Sequence, residues 1–197
     1  MWKYILFDLD GTLTDPKIGI TKSVQYALAH YGIKVENIDD LCCFIGPPLK
    51  DSFCEFYGFD ENKAEKAVAK YRERFATEGI YENEIFPGVK EMLEALKNSE
   101  KTVILATSKP AVYANKILEH FGIDKYFDFV SGSELDGTRS EKSEVINYAL
   151  RECGIKNLSE AVMIGDRNRD ILDRGFDWLW KPRGAEQSGS RGDCLQY

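Results

Sequence analysis

Apolar residues recur along this chain with two alternating periods. Tyr4–Phe7 is a short continuous apolar run that ends in Asp8, Asp10 and Gly11. A helical stripe follows, with Ile20, Val24, Ala27, Leu28 and Tyr31 on one face and Gly32 placed to end it. A second helix is predicted from about Asp60, where Ala64, Ala67, Val68, Tyr71 and Phe75 share a face. Pro87-Gly88 punctuates the chain, and Val89, Met92, Leu93 and Leu96 mark a third amphipathic helix. From there the rhythm is regular: strand Thr102–Ala106, helix Val112–Phe121, strand Phe127–Val130, helix Ser143–Cys153, strand Ala161–Ile164.

Strands alternating with helices predict an α/β fold, a Rossmann-like parallel sheet. The first strand is separated from the others by residues 18–83, which offer helices and no convincing strand. This stretch reads as a helical insert, a cap, with hinges near Asp15–Lys17 and Tyr81–Phe86. The core is then discontinuous, residues 1–17 and 84–180. After Ile171 the rhythm fails. Leu172–Trp180 supplies at best a remnant of the next helix and strand, and residues 181–197 are an irregular, almost aliphatic-free tail. The C-terminal edge of the core is therefore expected to be atypical or missing.

Composition narrows the functional classes. The 197 residues are 43% hydrophobic, enough for one substantial domain with a modest insert. The formal net charge is −7, which in bulk repels nucleic acid polymers and anionic membranes. No segment approaches the roughly 20 apolar residues that span a bilayer. Asp8 and Asp10 interrupt the N-terminal apolar run, so it lacks the layout of a signal peptide. The five cysteines include no CxxC pair and read as reduced thiols. A cytoplasmic protein, monomeric or weakly dimeric, is the expectation.

In open α/β sheets, ligands bind beyond the carboxyl ends of the strands. Those ends carry Asp8-Leu9-Asp10-Gly11-Thr12, Thr107-Ser108-Lys109, Lys142 at a helix start, and Gly165-Asp166 through Asp170. Each residue type suits one task in phosphoryl transfer. Asp8 can attack phosphorus and form an aspartyl-phosphate. Asp10 can protonate the leaving oxygen and then deprotonate water. Lys142 can neutralise the anions, and Thr107 can donate a hydrogen bond to a phosphoryl oxygen. Thr107 is preferred to Ser108 for lying nearer the strand end, with Ser108 lining the same phosphate site. Asp8 and Asp166 can hold Mg²⁺, which takes oxygen ligands and keeps several waters. Asp170 can orient metal waters or Lys142 if a helix starts there. Gly11 permits close backbone approach to phosphate. Lys50 and Arg139 are candidate substrate contacts, each weighed against a merely solvated cation, as is Lys109.

Two rival patterns fail. An EF-hand loop needs glycine at position six and glutamate at position twelve, but Gly11 comes too early and Gly19 stands at the twelfth place. Neither GxxxxGK[ST] nor GxGxxG occurs.

The DxDGT segment behind an apolar strand, with Thr107, Lys142, Asp166 and Asp170 following in order, resembles the haloacid dehalogenase-like hydrolase superfamily. The resemblance runs from Met1 to about Ile171. It implies a Rossmann-like core, a helical cap, and Mg²⁺ with the main-chain carbonyl of Asp10 as a further ligand. Phe44–Leu49 and Gly132–Arg139 look like the phosphoglycolate phosphatase-like or 5′-nucleotidase-like branch. The function implied is a Mg²⁺-dependent phosphatase acting on a small phosphorylated metabolite. A phosphomutase of the same superfamily is one alternative. A catalytically impaired phosphate-binding protein is the other, because Leu172–Tyr197 departs from the family pattern in the manner of a shifted reading frame.

Overall fold

The computed structural model describes residues 2–166 and, by backbone alone, 177–180. The expectations for Asp170, Ile171 and residues 181–197 lie outside the described residues. The described chain forms two compact units. One joins residues up to Asp15 with those from Ile85 onward, and the other is Pro16–Glu84. The chain thus crosses between them at Asp15–Pro16 and at Glu84–Ile85.

The first unit is a five-stranded parallel sheet. Its strands are β1 (Tyr4–Phe7), β2 (Thr102–Pro110), β3 (Phe129–Ser133), β4 (Ala161–Gly165) and β5 (Asp177–Trp180), in spatial order β3-β2-β1-β4-β5. β1 pairs with β2 through Tyr4↔Thr102 to Phe7↔Leu105, and with β4 through Tyr4↔Ala161 to Phe7↔Ile164. β1 is apolar throughout because it lies between two neighbours with both faces covered. Its alternate residue Leu6 packs with Ile104, Met163, Val145, Ile146 and Ala149 into one buried cluster. Ile5, Val103 and Val162, which alternation sends to the other face, are buried as well.

The order reverses direction at β1: the chain passes outward through β2 to β3, then returns beyond β1 to β4. Such a reversal opens a crevice beyond the carboxyl ends of β1 and β4.

The bounds of two strands, β3 and β2, depart from the sequence reading. The third strand runs Phe129–Ser133 rather than Phe127–Val130, because Asp124–Tyr126 forms a 3-10 turn that ends on Phe127. Ser131, Gly132 and Ser133 have weak intrinsic strand preference and are held by pairing with β2. The edge expected to be atypical or missing carries a short strand, β5, paired with β4 from Val162↔Asp177 to Gly165↔Trp180. Its Asp-Trp-Leu-Trp sequence contains two aromatic residues of high strand propensity, which the irregular flanking composition masked.

The second unit is helical: α1 (Lys17–His30), α2 (Leu49–Tyr57) and α3 (Glu61–Arg74), with a 3-10 turn at Ile38–Phe44 and a π turn at Phe75–Gly79. Among the described residues the first unit also carries the helices α4 (Val89–Asn98), α5 (Ala111–Phe121) and α6 (Lys142–Glu152). Asp60 caps α3 by accepting a hydrogen bond from the Lys63 N–H. Phe44, Phe53 and Phe59 form an aromatic core. Arg74 donates to both carboxylate oxygens of Glu82, at 2.8 and 3.1 Å, and Lys22 reaches the same carboxylate. Among the described residues, no helix is long and apolar enough to cross a membrane.

Candidate active site

β1 delivers Asp8 to the crevice, as the first residue past its apolar run Tyr4–Phe7. The Asp8 N–H donates to the Ile164 carbonyl at 2.9 Å, which ties the first residue past β1 to β4. Asp8 Oδ1 accepts from the Leu9 N–H at 2.7 Å, and Oδ2 lies 2.6 Å from Lys142 Nζ. The chain then turns sharply. Leu13 and Thr14 N–H groups return to the Leu9 carbonyl, and Gly11 donates its N–H to Thr14. Gly11 holds φ at +80°, a conformation that glycine adopts without the steric cost of a Cβ.

Lys142 opens α6. A cation at a helix N-terminus opposes the helix dipole. Glu144 offsets this by sitting in the first turn and accepting the Glu141 N–H. Lys142 is only 9% exposed, so its ammonium is held for Asp8 rather than for solvent.

A second carboxylate–ammonium pair stands beside the first. Asp10 Oδ2 is 2.9 Å from Lys109 Nζ, with the lysine side chain 6% exposed. Asp10 Oδ1 is buried and has no hydrogen-bond partner among the described residues. Burial pushes the Asp10 carboxyl above its usual range, against the pull of the Lys109 ammonium, and the neighbouring Asp8 charge adds to the push. Disfavouring the charged form lets a carboxyl hold a proton more readily, which is what proton delivery to a leaving group requires.

Thr107, 2% exposed, lies two residues before Lys109 on β2, and its Oγ1 accepts the Lys109 N–H at 3.3 Å. Lys109 was weighed from sequence as an exposed loop cation, and the structure corrects that. β2 extends to Pro110 instead of stopping at Ala106, so Lys109 is a strand residue. No local signal announced this, because β2 continues here through a register shift against β3 where simple alternation does not apply.

Asp166 follows β4 directly and therefore stands one strand over from Asp8. The other expected residues are placed as follows. Ser108 lies between Thr107 and Lys109. Arg139 is engaged by neighbours on both sides of its loop: it pairs with Glu134, donates Nε–H to the Gly132 carbonyl on β3 at 3.3 Å, and stacks on Tyr148 of α6. Lys50, in the helical unit, pairs with Glu61 at 3.3 Å and Glu65 at 2.9 Å and so joins α2 to α3.

Gly132 on β3 keeps the Lys109 segment in place. A Cβ there would lie 2.7 Å from the Lys109 carbonyl oxygen and 2.7 Å from the Ala111 nitrogen, both backbone atoms. Gly132→Ala is expected to lower stability by about 2 kcal/mol, as overpacking against backbone does. Thermal unfolding would read this as a midpoint drop of several degrees, and an unchanged midpoint would contradict the close packing.

The donors at the crevice are oxygen atoms. Asp8 and Asp166 carboxylates at adjacent strand ends suit a hard divalent cation that retains waters. Among the described residues no cluster of three or more His, Cys, Asp or Glu side chains is assembled.

Fold and crevice together define an α/β enzyme with a paired-carboxylate centre. The chain belongs to the haloacid dehalogenase-like hydrolase family, whose model matches residues 5–173. It is an enzyme, a phosphatase-type hydrolase of that family. A protein named 5′-nucleotidase from Pseudomonas aeruginosa is 52% identical over 168 residues, which is 85% of this chain and 76% of that protein. A protein named tyrosine-protein kinase PtkA from Mycobacterium tuberculosis is 37% identical over 168 residues, covering 85% of this chain but 56% of its own length. The crystal structure of a predicted phosphatase from Clostridium acetobutylicum superposes with a TM-score of 0.87 at 45% identity, over 91% of this chain and 84% of that one. Proteins named phosphoglycolate phosphatase are also among the relatives.

Proposed function

We propose that this protein is a Mg²⁺-dependent phosphatase that hydrolyses a small phosphate monoester through an aspartyl-phosphate on Asp8. The observation that carries the reading is the pair of buried carboxylate–ammonium contacts at the end of β1, Asp8–Lys142 and Asp10–Lys109. They give two adjacent aspartates different surroundings, and so different work.

Asp8 attacks phosphorus as the bond to the leaving oxygen breaks. Asp10 gives that oxygen its proton, and the alcohol departs. A water then attacks the phosphorus of the aspartyl-phosphate while Asp10 takes the water's proton. The bond to Asp8 breaks and inorganic phosphate is released. Lys142 offsets the negative charge that gathers between Asp8 and the phosphoryl group, and Thr107 donates to a phosphoryl oxygen. Asp8, Asp166 and the Asp10 carbonyl would hold Mg²⁺, which would supply Lewis-acid charge at the phosphoryl group. Asp170, outside the described residues, is the proposed further acidic contributor to that site. Gly11 and Ser108 border the phosphate. The helical unit Pro16–Glu84 acts as the cap that selects the leaving group, with Lys50 and Arg139 as candidate substrate contacts.

Substrates of the 5′-nucleotide or phosphoglycolate type are supported by the names of relatives. Release of phosphate from nucleoside monophosphates, phosphoglycolate and sugar phosphates, measured with Mg²⁺ and again after EDTA treatment, tests this. Turnover of at least one monoester, lost with EDTA and restored by Mg²⁺, is expected. Undiminished turnover in EDTA would remove the metal from the account, and an isomerised sugar phosphate without phosphate release would indicate a mutase.

A further inference from the structure

β2 loses regular pairing where the site residues sit. Its register against β3 shifts between Ala106 and Pro110, and Pro110, which pairs with Ser133, has no N–H to give to a ladder. The Ser133 hydroxyl enters this gap. Ser133 is 5% exposed, and its Oγ donates to the Ser108 carbonyl at 2.8 Å.

The Ser108 carbonyl and the Lys109 N–H belong to one peptide unit, which is planar and rigid. That unit is therefore held at both ends. Its oxygen accepts from Ser133, and its N–H donates to Thr107 Oγ1 at 3.3 Å. A threonine hydroxyl has one hydrogen to donate and two acceptor sites. With the Lys109 N–H on one acceptor site, the hydroxyl hydrogen is left to point elsewhere. If the peptide rotated, the Ser108 carbonyl dipole could swing toward a bound anion and repel it.

We propose that Ser133 is a positioning residue for phosphoryl transfer: through the Ser108–Lys109 peptide plane, it orients the Thr107 hydroxyl toward the phosphoryl oxygen. The inference rests on the phosphatase reading above and on the role given there to Thr107. It assigns a catalytic consequence to a serine on a different strand from any of the catalytic residues.

The test uses the full chain with Mg²⁺ and para-nitrophenyl phosphate, well below the thermal midpoint of each variant. Ser133→Ala is expected to lower kcat about tenfold, the rate equivalent of losing one hydrogen bond's net contribution, and to change KM less than about twofold. Ser133→Thr, which keeps the hydroxyl, is expected to retain kcat within about threefold of wild type. Thr107→Val is expected to lose about a hundredfold, and adding Ser133→Ala to it is expected to cost nothing more, because the two side chains act in series. An unchanged kcat in Ser133→Ala, no recovery in Ser133→Thr, or losses that multiply in the double variant would each overturn the inference. Asp8→Asn run in parallel separates the two levels. Turnover surviving in that variant defeats the phosphatase mechanism itself, whatever Ser133 does.

Discussion

Asp8→Asn is expected to lose at least about 10⁴-fold in kcat on any phosphate monoester the enzyme accepts. The amide is close in shape but is a poor nucleophile, so the covalent route closes while the pocket remains. The substitution also leaves the buried Lys142 ammonium without its carboxylate 2.6 Å away. Removing one partner of a buried ion pair is destabilising, so the thermal midpoint should fall as well. On the proposed mechanism phosphate would meet that ammonium in place of the Asp8 charge, so inorganic phosphate should raise the variant's midpoint more than the wild type's. Steady-state kinetics with thermal unfolding, with and without phosphate, checks both effects. An inactive variant whose midpoint ignores phosphate would argue against Lys142 as an anion partner.

Lys142→Met carries the second large effect. Methionine keeps most of the length and the apolar stem of lysine and removes the ammonium with its charge and donors. A kcat loss of about 10²- to 10³-fold is expected, the scale seen when one preorganised charge-stabilising group is lost from an active site. The loss should fall mainly on kcat, since the negative charge that Lys142 offsets is concentrated where Asp8 meets the transferring group. The capping arrangement of Glu141 and Glu144 does not depend on the lysine side chain, so α6 should remain folded. Circular dichroism close to the wild type, together with the rate loss, is the expected pair of results. A variant that unfolds outright would instead place Lys142 in the structural framework.

Much of the fold was legible because parallel strands buried on both faces must be apolar runs. Tyr4–Phe7, Thr102–Ala106 and Ala161–Ile164 are such runs, and the ends of those runs located Asp8, Thr107 and Asp166. Lys142 was legible as a helix start. What escaped depends on pairing between distant segments. β2 continues past its apolar part through Thr107, Ser108 and Lys109, which carry no strong strand signal of their own. That hid the burial of Lys109. β3 includes Ser131-Gly132-Ser133 because it must lie against β2, not because those residues favour extended structure. In the helical unit, the π turn at Phe75–Gly79 accompanies a close approach of two backbones: a Cβ on Gly19 would lie 1.9 Å from the Gly79 carbonyl oxygen. No local pattern announces a contact between residues that far apart in sequence. The partners that Arg139 holds, Glu134, Gly132 and Tyr148, were likewise not legible from its place in a loop.

The central claim is that phosphate passes through a covalent bond to Asp8. Rapid acid quench of the enzyme turning over a phosphate monoester, followed by peptide mass spectrometry, tests it most directly. A phosphate adduct is expected on the peptide containing Asp8-Leu9-Asp10, cleaved by hydroxylamine as an acyl phosphate is, located on Asp8 by fragmentation and absent from Asp8→Asn. Hydrolysis proceeding at the full rate with no adduct at any quench time, or an adduct located on Asp10, would contradict it.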